Sequence, residues 1–150
     1  MYVRVGQFDA ANPFQLDDAT PSIAVLLPCY NEGLVIGTVV ERFREILPEA
    51  RIYVYDNNSS DNSANVARAS GAIVRSETRQ GKGFVVRRMF ADIDADIYIM
   101  CDADETYDAQ AAPKLIHRLV DDGLDMMVGT PTALSGTPYR PGPRSRHRRH

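Results

Sequence analysis

From Ser22 onward, short apolar runs alternate with longer amphipathic ones. "IAVLLP" is apolar throughout and closed by proline, which predicts a first strand buried on both faces. "NEGLVIGTVVERFREILP" spaces Leu34, Val35, Val39, Phe43, Ile46 and Leu47 at helical intervals, with Glu32 near its start and Pro48 at its end. "RIYVYD" predicts a second strand, and "SDNSANVARASG" a short helix with a polar start and a glycine stop. "AIVR" then predicts a third strand, "GKGFVVRRMFADID" a helix and "IYIMC" a fourth strand. "AQAAPKLIHRLVDDG" reads as a further helix with Pro113 tolerable only in its first turn, and "LDMMVGT" as a fifth strand with Met126 and Met127 in the core. Strands alternating with helices predict right-handed βαβ units, hence an α/β/α sandwich: a mainly parallel sheet with helices on both faces.

The pattern has edges. Residues 1–21 show no sustained period and are interrupted by Pro13 and Pro21, so an irregular leader is expected there. Residues 22–130 form the expected domain, and a chain of 150 residues suits one such unit. Residues 131–150 are rich in proline, glycine and arginine, with too few apolar positions to pack, and predict a disordered tail. A sheet that stops after its fifth strand leaves an apolar flank, which favours association with a second copy.

Charge changes the picture more than composition does. The last eleven residues, "RPGPRSRHRRH", hold five of the 17 basic residues, leaving 12 basic against 20 acidic groups in the body. An acidic body argues against a nucleic-acid-binding domain. No apolar run approaches the roughly 20 residues that cross a bilayer, and the N-terminus lacks the apolar centre of a signal peptide. Cytoplasmic residence is the expectation. Cys29 and Cys101 each end a strand, and without a paired C-x-x-C motif or a secretory signal they predict buried or site-lining thiols rather than a disulfide or a sulfur-bound metal.

Ligands of open parallel sheets sit beyond the carboxyl ends of the strands. Four unusual clusters fall there: Pro28-Cys29-Tyr30-Asn31-Glu32, Asp56-Asn57-Asn58-Ser59-Ser60-Asp61, Gln80-Gly81-Lys82-Gly83, and the acids from Asp102 to Asp108. Singly each has a bland reading: a turn with Asp61 capping a helix, a flexible glycine loop, a solvated acidic turn. Four on one rim point to a binding site. The common nucleotide signatures are absent, since no G-x-G-x-x-G follows the first strand and "SETRQGKG" lacks the first glycine and the final Ser/Thr of a P-loop. An EF-hand is excluded because Tyr107 and Pro113 stand where glycine and glutamate belong.

"PCYNE", "YDNNSSDNS", "RQGKG" and "DADETYD" resemble, in order and spacing, the motifs of family 2 glycosyltransferases, and more narrowly the polyprenyl-phosphate and dolichyl-phosphate sugar synthases. The resemblance covers residues 22–130 and implies a GT-A, Rossmann-like fold. It implies a metal-dependent, inverting transferase acting in cell-envelope or polysaccharide biosynthesis. The donor would be a nucleotide-diphosphate sugar carrying UDP or GDP. The acceptor would be a lipid phosphate such as a polyprenyl phosphate, which places the chain peripherally at the inner face of a membrane.

Residue by residue, Pro28, Tyr30, Asn31 and Glu32 would line the nucleotide, with Glu32 on the ribose and Asp56 on the base. Asn58 and Ala103 are placed on the same nucleotide-sugar surface. Lys82 would face the diphosphate. Asp102 and Asp104 form the family's Asp-x-Asp and would hold Mg²⁺ or Mn²⁺, Asp104 being the more direct ligand. Thr106 stands where some relatives carry another ligand. Carboxylates gathered by a hard divalent ion would explain why an apolar strand runs into a knot of acids, because the ion cancels their repulsion.

The resemblance stops after Thr130, as a C-terminal truncation by frameshift or early stop would produce, before the family's acceptor-binding segments. No catalytic base is assigned. Asp108 is a weak candidate, and an ionised phosphate acceptor needs none. Two other readings stand beside the transferase: a non-catalytic nucleotide-binding remnant, and a haloacid-dehalogenase-like phosphatase, whose D-x-D-x-T matches "DADET" but belongs near that fold's first strand. His117 reads as a surface or helix-packing residue, and Tyr53, Tyr55 and Tyr98 as packing.

Overall fold

The computed structural model describes residues 1–5, 21–102 and 108–129. The elements are β1 (Tyr2–Val5), β2 (Ile23–Cys29), α1 (Ile36–Ile46), β3 (Arg51–Asp56), α2 (Ser63–Ala69), β4 (Ile73–Ser76), α3 (Lys82–Asp92), β5 (Ile97–Met100), a 3-10 turn (Ala109–Ala111), α4 (Ala112–Asp121) and β6 (Met126–Val128). They build one sheet in the order β4-β3-β2-β5-β1-β6. β2 pairs in parallel with β3 and β5, and β3 with β4, so a four-stranded parallel unit forms the centre of an α/β fold.

Helices cover both faces. Val25, Leu27, Ile52, Val54, Ile97 and Ile99 point one way and pack with Ile36, Val40 and Phe43 of α1, Ala67 of α2, and Ala112 and Leu119 of α4. Alternate residues point the other way: Ala24, Leu26, Tyr53, Tyr55 and Tyr98 meet Val85 and Met89 of α3. β2 is therefore apolar at every position, as its unbroken run predicts, and the three tyrosines pack as expected. Tyr98 finds a polar partner by donating to the Ile93 carbonyl at 2.9 Å.

The first strand departs from expectation. Tyr2–Val5 is not irregular: it lies antiparallel between β5 and β6, pairing Val3 with Ile99 on one side and Met127 on the other. Val3 is fully buried, and Met1 and Gly129 exchange backbone hydrogen bonds. Four residues carry too little sequence pattern to announce a strand, and burial between two partners stabilises what periodicity cannot show. The rest of the expected leader, and the tail, lie outside the described residues.

Two apolar positions were also misassigned. Leu34 is 99% exposed, because α1 begins at Ile36 and Leu34 stays in the preceding loop. Met126, expected in the core, is 57% exposed on edge strand β6, where Val128 beside it is 54% exposed, while Met127 packs inward. A strand alternates its faces, so only one of the adjacent methionines can face the helices.

Candidate nucleotide site

Register brings the strand ends level. Cys29 pairs with Asp56 and Asp56 with Ser76, while Met100 of β5 aligns with Leu26, so all four parallel strands finish on one rim. Beyond that rim lies a cavity of about 360 Å³ lined by Pro28, Cys29, Tyr30, Glu32, Asn57, Gln80, Gly81, Lys82, Val85 and Asp102. Its size suits a small-molecule ligand.

Three loops shape it through side-chain bonds to backbone. The loop after β2 is latched onto the start of α2: Asn31 N donates to Ser59 Oγ (2.9 Å), Glu32 N to Ser63 Oγ (2.8 Å) and Gly33 N to Asp61 Oδ2 (3.0 Å). Asp61 Oδ1 also accepts from Ser63 N at 3.0 Å. The N-cap of α2 is Asn62, not the expected Asp61; Asp61, one residue earlier, satisfies the first helical amide while binding the two loops together. The Ser63 hydroxyl beside it, followed by the Gly33 amide, holds the Asp61 carboxyl below its ordinary range. Asn31 adopts φ 55° and Asn58 φ 63°, left-handed geometry that asparagine tolerates better than most residues.

Among the predicted ligands, Pro28, Tyr30, Glu32, Lys82 and Asp102 come together on the cavity wall. Tyr30 is 53% exposed at its mouth. Lys82 opens α3 and its ammonium forms an ion pair with Asp102, joining the predicted diphosphate contact to the predicted metal ligand. Asn31 and Asn58 serve the walls instead: Asn31 Oδ1 accepts from Ser60 N (2.8 Å), and Asn58 Nδ2 donates to the Thr78 carbonyl (2.9 Å) and Gln80 Oε1 (3.0 Å). Asp108 caps the 3-10 turn by accepting from Gln110 N at 2.9 Å, a structural employment for the weak candidate base. Ala103, Asp104 and Thr106 lie outside the described residues.

Asp56 ends β3 with only 9% of its surface exposed, next to the cavity-lining Asn57. Its Oδ2 accepts from Ser59 N at 3.3 Å, whereas Oδ1 is buried with no hydrogen-bond partner among the described residues. A buried carboxylate oxygen left unmatched disfavours folding by about 1–3 kcal/mol, so its retention marks it for a donor from a water or a ligand. Burial, opposed by the Ser63 hydroxyl and reinforced by the Glu32 and Asp56 carboxylates, pushes the neighbouring Cys29 thiol up to about 11. Both cysteines are free and buried, as expected.

Sequence reasoning overlooked Asn57. Buried in the cavity wall, it reads in "DNNSSD" as one more turn asparagine, and nothing local distinguishes it from Asn58. As for a metal, Asp102 offers one hard-oxygen ligand on the cavity wall, and no group of three or more His, Cys, Asp or Glu is gathered among the described residues. The donor type fits Mg²⁺ or Mn²⁺, with Asp104 needed to complete the pair.

A parallel-sheet rim carrying a cavity of this size, a lysine at a helix start and a strand-end aspartate defines an α/β domain with a ligand site at the carboxyl ends of its strands. Residues 24–150 match Glycosyl transferase family 2, and the chain belongs to that family. The match runs past Thr130, where the sequence motifs end, and membership sets the phosphatase reading aside. Among relatives, Protein RfbJ of Shigella flexneri is 55% identical over 72% of this chain and 84% of its own length. A dolichyl-phosphate hexose transferase of Haloferax volcanii is 31% identical over 71% of this chain and 46% of its own. Glucosyl-3-phosphoglycerate synthase from Mycobacterium tuberculosis, solved in complex with Mn²⁺, UDP and glucosyl-3-phosphoglycerate, superposes with a TM-score of 0.61 at 29% identity. That superposition covers 68% of this chain but 40% of the synthase. The chain thus shares the GT-A architecture while spanning under half of these two longer proteins.

Proposed function

We propose that this chain binds a nucleotide-diphosphate sugar with a divalent cation and supplies the donor half of an inverting sugar transfer to an acceptor phosphate. The observation that carries the reading is the unmatched Asp56 Oδ1 at the end of β3, one residue before Asn57, which lines the cavity together with Lys82 and Asp102. A base with an imino N–H, uracil or guanine, supplies the donor that Asp56 lacks. In this reading Glu32 takes the ribose and Tyr30 lines the nucleotide, and both residues border the cavity. Lys82, in the first turn of α3, places a cation where the helix N-terminus already favours anions.

Asp102, together with Asp104, would hold Mg²⁺ or Mn²⁺. When bound, the ion acts as Lewis acid and template for the departing diphosphate. Lys82 and Asp102 neutralise one another directly, so each has an opposite charge to exchange for a ligand: the ammonium for phosphate, the carboxylate for the cation. An acceptor whose nucleophile is an ionised phosphate oxygen needs no protein base, which suits a chain whose candidate base, Asp108, is occupied as a cap. The polyprenyl-phosphate acceptor is supported by the name of the Haloferax relative. Among the described residues no helix is long and apolar enough to cross a membrane, so such an acceptor would be met at the bilayer surface.

Titration calorimetry with UDP and with GDP, with and without Mn²⁺, tests the donor site, and negligible heat in every titration rejects it. Transfer of radiolabelled sugar to polyprenyl phosphate tests the reaction. Binding without transfer assigns the chain to the non-catalytic nucleotide-binding alternative.

A further inference from the structure

The loop that carries Lys82 into the cavity has almost no secondary structure of its own. Between the end of β4 and the start of α3, residues 77–81 are held by two buried side chains. Asn57, 5% exposed, uses every polar atom of its amide on this loop: Nδ2 donates to the carbonyls of Glu77 (2.7 Å) and Arg79 (2.8 Å), and Oδ1 accepts from Gly81 N (2.7 Å). Its own backbone is fixed in turn, since Asn57 N donates to the Cys29 carbonyl at 2.9 Å. Glu77, 3% exposed, ties the loop's other end: its N donates to the Asp56 carbonyl at 3.0 Å, and its Oε1 accepts from Arg79 N at 2.8 Å and Arg79 Nε at 3.2 Å.

We infer that Asn57 is a positioning residue: it holds loop 77–81 in the shape that presents Lys82 to the diphosphate. The inference rests on the nucleotide-sugar reading above and adds a residue that touches neither phosphate nor sugar in its argued role. Lysine is a flexible point charge whose four-carbon stem leaves its ammonium poorly located unless the backbone beneath it is fixed. The residue before Lys82 is Gly81, at φ 129°, a conformation that non-glycine residues rarely adopt. Its amide is one of the three groups that Asn57 binds. Remove Asn57 and two carbonyls and one N–H of the loop lose their partners at once, with the amide adjoining Lys82 released among them. Asn58 reaches the same loop through Thr78 and Gln80, but from an exposed position where water can substitute. The buried asparagine has no such replacement.

The test combines amide hydrogen exchange with a binding cycle. In the ligand-free chain, Asn57→Ala should speed exchange across residues 77–83 by about tenfold while leaving α4 unchanged. In calorimetry, whichever of UDP or GDP binds the wild type should bind this variant about tenfold more weakly, with binding of the matching nucleoside unchanged. Combined with Lys82→Ala, Asn57→Ala should then cause no further loss, because both act on one contact. Gly81→Ala, which strains the same backbone while keeping Asn57, should reproduce the selective loss and serves if Asn57→Ala unfolds. Additive losses with Lys82→Ala, or a nucleoside affinity that falls in step, overturn the positioning role. Unchanged exchange overturns the clamp alone. A wild type that binds neither diphosphate overturns the functional reading and the ligand half of this inference, whatever the exchange data show.

Discussion

Asp56→Asn separates what the site needs from what the fold needs. The side chain is 9% exposed, with Oδ2 on the Ser59 amide and Oδ1 unmatched among the described residues. Asparagine keeps the shape and can keep the Ser59 contact through its own carbonyl oxygen. It then presents an N–H₂ where a nucleobase imino N–H would have found a carboxylate oxygen. A hydrogen bond to a charged acceptor contributes about 1.5–3 kcal/mol, so nucleotide affinity should fall by roughly 10- to 150-fold. Stability should move the other way. The unmatched acceptor is exchanged for an unmatched amide donor of similar cost, so the gain comes from the smaller desolvation penalty of a neutral amide than of a carboxylate. A gain of about 1 kcal/mol corresponds to a rise in Tm of roughly 2–4 °C for a domain of this size. Calorimetric titration and a thermal melt on the same preparation read both effects. Nucleotide affinity equal to wild type, or a lower Tm, would refute the assignment of Oδ1 as an atom kept for a ligand.

Other expectations follow from the same geometry. Asp92 accepts from Arg88 Nε at 2.7 Å and the Tyr55 hydroxyl at 3.0 Å, and Arg88 above all holds its carboxyl below the usual aspartate range. Because the folded pKa is depressed, this stabilisation is present above about pH 3.9 and is lost as pH falls through the lower folded value. Thermal melts of wild type and Asp92→Asn should therefore differ at pH 7 and converge in strong acid, and a gap that persists there contradicts the ion-pair origin. Gly71 sits at φ 96° with the Arg44 guanidinium 2.5 Å from where a Cβ would stand, so Gly71→Ala should destabilise by about 1–2 kcal/mol through backbone strain. Displacement of Arg44 from the Ser70 carbonyl, 2.9 Å away, adds to that loss, and an unchanged melting curve would count against the local geometry. Cys29, protonated up to about pH 11, should react with iodoacetamide at pH 8 far more slowly in the native chain than in urea; equal rates would place the thiol outside the buried wall.

The sequence by itself determined the central βαβ succession, the apolar character of β2 and the four chemical clusters at the strand ends. Those signals are local: periods of two and 3.6 residues, proline and glycine stops, and acids crowded after an apolar run. It also placed Pro28, Tyr30, Glu32, Lys82 and Asp102 at strand or helix ends, and they meet on one cavity wall. Only the tertiary structure decided that Tyr2–Val5 fills the gap between β5 and β6, that Leu34 and Met126 face solvent, and that Asn57 rather than Asn58 is sealed beneath the lysine loop. Strand order and side-chain partnership depend on which distant segments share one buried space, and neighbouring residues of the same type carry no mark of that choice. Asn57 and Asn58 are adjacent and chemically identical; one turns inward to three backbone groups and the other outward, and only the packed sheet separates them.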